Sequence, residues 1–134
     1  MTDNQEKYLI ARVDIPAVEA LELVADRLSQ LTGFVFKEEA TGRYDEVPAF
    51  IAEQNEVEFI LFGVPEGESG SYELKFRCET DRSIEAMLTR DAEGFLRQFV
   101  SDKSGAFMDY SDTLAQALIR HGIQGCRPIQ PAGA

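Results

Sequence analysis

A chain of 134 residues, 44% hydrophobic and 28% charged, is one domain's worth of globular protein and needs neither metal nor disulfide to form a core. Its formal net charge of −11 repels phosphate, so direct DNA or RNA binding is not expected. No apolar run approaches the roughly 20 residues of a membrane span. The opening Met1-Thr2-Asp3-Asn4-Gln5-Glu6-Lys7 has no basic and apolar leader pattern, and a cytoplasmic location is therefore expected.

Tyr8 to Ile15 alternates Leu9, Ala11, Val13 and Ile15 with Tyr8, Ile10, Arg12 and Asp14, which predicts a strand. Pro16 suits a helix start, with Asp14 near its N-terminus. From Ala17 the residues Val18, Leu21, Val24, Ala25, Leu28 and Leu31 recur at helical spacing up to a stop at Gly33. Phe34-Val35-Phe36 predicts a short strand leading into Lys37-Glu38-Glu39. Pro48 cannot donate to a sheet ladder, so Tyr44 to Ala52 is expected to be an edge strand or an irregular crossing.

Val57 to Val64 is apolar on both faces apart from Glu58 and suits a central strand. The Gly-rich loop 65–71 then joins it to Tyr72, Leu74, Phe76 and Cys78, which alternate with Glu73, Lys75, Arg77 and Glu79 as a hairpin partner with one wet face. Phe95, Leu96, Phe99 and Val100 are spaced as a helical stripe. Ser111 predicts the N-cap of a last helix that carries Asp112 in its first turn and ends at Arg120, His121 and Gly122. The termini, about 1–6 and 124–134, are expected to be loose. The whole predicts a single α+β domain, a mainly antiparallel sheet packed against about three helices.

Chemistry is sparse. The one histidine, His121, stands where a cation complements a helix C-terminus, and a helix-end role is expected of it. Cys78 and Cys126 are distant and form no C-x-x-C, so they are expected to be reduced packing or surface thiols. No zinc motif, calcium loop, phosphate loop or nucleophile elbow is present. Neither a cofactor nor a metal is expected, and the chain is not expected to be an enzyme.

The acidity is uneven. Residues 1–70 carry 15 acidic and 5 basic side chains, whereas residues 71–134 carry 9 and 8. Solubility alone accounts for an acidic surface. Asymmetry interleaved with aromatics points further, to an interface with a basic partner, because complementary charge speeds association. Tyr44, Phe50, Phe59 and Phe62 lie inside the acidic stretch, with Phe59 and Phe62 expected in the core. The candidate partner-binding residues are Tyr44, Asp45, Glu46, Glu53, Glu56, Glu58, Glu66 and Glu68.

The run Tyr8-Leu-Ile-Ala-Arg-Val-Asp-Ile15, the acidic amphipathic helix, Gly42-Arg-Tyr-Asp-Glu-Val-Pro-Ala-Phe50 and Phe59-Ile-Leu-Phe-Gly-Val-Pro65 together resemble small bacterial immunity proteins of contact-dependent inhibition and other polymorphic toxin systems. The resemblance covers residues 8–80 and is one of layout. It implies 1:1 neutralisation of a cognate toxin domain, a basic nuclease in many such systems, with no membrane or nucleic acid bound directly. An acidic inhibitor or adaptor that mimics nucleic acid, and a small ligand-binding module or enzyme using His121, are the rival expectations.

Overall fold

The structure, a computed structural model, describes residues 6–39, 47–54, 56–64, 70–81, 94–100 and 107–129. Within them the chain forms β1 (Lys7–Pro16), α1 (Leu21–Thr32), β2 (Lys37–Glu38), β3 (Ala49–Gln54), β4 (Val57–Phe62) and β5 (Ser71–Thr80). A single 3-10 turn (Leu96–Gln98), β6 (Phe107–Asp109), α2 (Ser111–Arg120) and β7 (Arg127–Pro128) follow. The strands make one sheet in the order β2-β3-β4-β5-β1-β6, with β7 also laid against β1. All pairings are antiparallel except that of β6 with β1.

Period-two alternation decides which side chains go inward. Leu9, Ala11 and Val13 on β1, Phe59 and Leu61 on β4, and Leu74, Phe76 and Cys78 on β5 have no exposure. They meet Val24, Ala25 and Leu28 of α1 and Leu114 and Leu118 of α2 in one apolar cluster. Burying each such large side chain stabilises the fold by about 1.5–3 kcal/mol. At its centre Phe59 packs against the rings of Phe34, Phe36, Phe76 and Phe99, with centroids 5.2–6.4 Å away.

Several expectations need correction. α1 begins at Leu21, not Ala17, because Pro16 is still the last residue of β1, opposite Ser71, and Ala20 is extended at φ −60°, ψ 147°. Val18 is therefore off the helix and 85% exposed. Asp14 lies opposite Glu73 and Arg127 in the sheet instead of beside the helix start. Gly33 does end α1, with φ 79° and its N–H donating to the Ser29 carbonyl. Phe34 and Phe36 are buried without being in a strand, and only Lys37–Glu38 pairs with β3.

β3 lies between β2 and β4, since Pro48 precedes the strand and leaves its ladder intact. The Pro48 carbonyl instead accepts from the Gly63 N–H at 2.7 Å. Of the three expected helices, two α-helices are found among the described residues. The stripe Phe95, Leu96, Phe99 and Val100 is buried, but it straddles a single 3-10 turn instead of lying along an α-helix. Ser111 is the first residue of α2, and not its cap. Asp109 Oδ1 accepts from both the Ser111 N–H and its hydroxyl, and Ser111 Oγ accepts from the Arg12 N–H at 2.9 Å, which ties the helix to β1.

Residues 124–129 are not loose. Cys126 is buried, Gly125 at φ 78° sits against Pro16, and the Ile129 N–H donates to the Arg12 carbonyl beyond β7. A Cβ on Gly125 would stand 2.8 Å from the Pro16 ring, so the close approach requires glycine.

Candidate functional site

The strand residues pointing away from the helices are polar or charged over much of β1 and β5, while Ala49 and Ile60 on β3 and β4 are buried. Arg12 donates to Glu73 at 2.9 and 3.4 Å, and this bond, with smaller help from the charges of Glu73, Asp14 and Asp109, raises the pKa of the guanidinium. Both partners are substantially exposed, so the pair adds little stability.

At the β3–β4 end of this face the register brings carboxylates together. Glu53 is opposite Glu58, and Glu58 is opposite Arg77 on β5. Glu53, Glu56, Glu58 and Glu79 line an open cleft of about 430 Å³, with Arg77 as the only basic residue among its described lining. Glu58 is buried, and its Oε1 meets Arg77 Nη2 at 3.3 Å. Its placement makes it a wall of the cleft and an internal partner of Arg77, contrary to the exposed position expected of a docking residue. Glu53 and Glu56 are exposed.

Glu56 turns the chain from β3 to β4 at φ 72°, a left-handed conformation that side chains other than glycine and asparagine seldom adopt. Beneath it, on the core side, the Cys78 thiol is pushed up to about 12, first by burial and then by the charges of Glu56 and Glu79. Burial alone pushes Cys126 to about 11, and its thiol donates to the Ile123 carbonyl at 3.2 Å. Neither thiol is therefore poised as a nucleophile at neutral pH.

The acidic row continues into aromatic residues. Glu79 is opposite Tyr8 on β1, and Tyr8 is opposite Phe107 on β6. The two rings are stacked, with centroids 5.7 Å apart and planes within 5°, and Phe107 is 60% exposed. Glu53, Glu56 and Glu58 are thus the candidate residues that the fold assembles. Tyr44, Asp45, Glu46, Glu66 and Glu68 lie outside the described residues. Glu38 pairs opposite Phe50, on the helix side of the sheet, and does not join the cluster.

Glu79, Tyr8 and Phe107 were not among the sequence candidates. The hairpin register held the signal for Glu79, since pairing Glu58 with Arg77 places Glu79 beside the β3–β4 turn. Phe107 carried no such signal, because its neighbour Tyr8 is 99 positions away along the chain and meets it through a parallel pairing. Of the aromatics in the acidic stretch, Phe59 is core, Phe50 packs on the core's margin, and Phe62 is half-buried on the opposite face instead of in the core.

His121 follows the last residue of α2, where its Nε2 shares a hydrogen bond with Gln98 Oε1 at 2.8 Å and its ring lies 6.1 Å from that of Phe95. Among the described residues no group of three His, Cys, Asp or Glu side chains is arranged to hold a metal ion, and no helix is long and apolar enough to cross a membrane. No family model matches the chain, and neither a curated protein nor a solved structure matches it.

Proposed function

We propose that this chain is a non-catalytic, cytoplasmic binding protein that docks a basic protein partner, in the manner of an immunity protein neutralising a nuclease toxin. One observation carries the reading: Glu79 of β5, far away in sequence, joins Glu53 of β3 around one cleft that Glu56 and Glu58 also line, and the single described cation of that lining, Arg77, is already engaged by Glu58. Like charges gathered this way repel one another in the unbound protein, and a cationic partner relieves that cost on docking.

The test uses the full chain as purified and the protein encoded by the adjacent reading frame, which the proposal expects to carry a basic toxin domain. A stable 1:1 complex is expected, with association slowing by about tenfold or more as salt rises from roughly 0.05 to 0.5 M. Glu53→Lys should slow association while leaving the dissociation rate less affected, because rim charges act mainly on encounter. An association rate indifferent to both salt and charge reversal refutes the electrostatic docking surface.

A further inference from the structure

The docking face ends in a feature that acidity alone does not account for. Phe107 is an aromatic residue with 60% exposure on a three-residue strand, and its ring lies flat against that of Tyr8. An exposed phenyl ring contributes little to the fold, yet parallel stacking holds this one in a defined plane. Glu79 is the direct cross-strand neighbour of Tyr8, so the aromatic pair and the acidic cleft occupy adjacent positions on one face.

We infer that the Tyr8–Phe107 stack is a platform for an arginine side chain of the docked partner, with Glu79 and the cleft beyond it receiving the positive charge. The inference rests on the docking function proposed above and specifies the partner's chemistry. A planar, weakly hydrated guanidinium stacks on an aromatic face and offers several donors in one plane to nearby carboxylates, whereas a lysine ammonium is a strongly hydrated point charge that forgoes the stacking. Flat rings bordered by carboxylates therefore select arginine over lysine at equal charge. A purely aliphatic occupant would leave the bordering carboxylates desolvated and unanswered.

Nona-arginine and nona-lysine peptides serve as probes for the full-length chain, with binding followed by biolayer interferometry. Wild type should bind both peptides and prefer arginine. Phe107→Ala, at an exposed position, should lower arginine binding by about two- to fivefold and lysine binding much less, since cation–π contacts at exposed sites are of that size. Phe107→Leu, which keeps an apolar side chain on β6, should show the same selective loss. Equal affinity for the two peptides in wild type, or an arginine preference unchanged in both variants, overturns the platform while leaving acidic docking standing. Failure of wild type to bind either peptide, or binding unaffected by Glu53→Lys, overturns the docking function itself and the platform with it.

Discussion

The two faces of the sheet use the same strands under the same alternation and reach opposite outcomes. Toward the helices, Leu9, Val13, Leu74, Phe76 and Phe59 of β1, β5 and β4 are wholly buried and belong to one apolar cluster with α1 and α2. Away from them, Arg12, Glu73, Glu53 and Glu79 reach solvent, and their described contacts are ion pairs or mutual proximity of like charge. On the first face identity is dictated by volume, where a lost methylene leaves a void. On the second, side chains are held to position but not to identity, and there the chain has room to carry a binding function.

Three changes test that division. The largest effect is expected from Phe59→Ala, which empties the centre of the aromatic cluster and should cost about 3–5 kcal/mol in chemical denaturation. A loss below about 1 kcal/mol would mean that the core does not hinge on this ring.

A smaller effect follows from the Cys78 thiol, which is buried on the core face beneath the acidic cleft. Its pKa is raised from 9.0 to about 12, so above pH 9 the unfolded chain sheds a proton that the folded chain retains. Stability is thus at its full value below pH 9 and declines as pH climbs from there, by on the order of 2 kcal/mol near about pH 11. Cys78→Ala should flatten that decline between pH 8 and 11. An identical decline in the variant would assign it to other groups.

The smallest effect runs in the opposite direction. Glu56→Gly should raise stability by about 1 kcal/mol, because glycine accepts the left-handed backbone without strain. The same change removes a carboxylate from the cleft, so association with the basic partner should slow. A variant that gains stability and binds unchanged would separate the strained turn from the proposed function.

Much of the frame was readable before the structure. β1 and β5 show their alternation plainly, β4 shows the unbroken apolar run of a central strand, Gly33 marks the end of α1, and α2 lies within one residue of its expected start. What failed depended on partners far away in sequence. The start of α1 was masked because Pro16 pairs with Ser71 and stays in the sheet. The segment 124–129 has the glycine and proline content of a tail, and only the open edge of β1 beyond β6 gives it a place. The cleft was half legible: Glu53, Glu56 and Glu58 came from charge density, whereas the burial of Glu58 and the arrival of Glu79 required the register between β4 and β5.

β1 also sets a schedule for folding. It is translated before every strand that flanks it: β5 at residues 71–80, β6 at 107–109 and β7 at 127–128. While the nascent chain emerges, Leu9, Ala11, Val13 and Ile15 wait with both backbone edges unsatisfied, and closure needs loops spanning most of the molecule. Such long-range pairing is slow, so β1 should stay bare until residues 71–80 and then 107–128 have been made, and should depend meanwhile on whatever shields an unpaired hydrophobic strand.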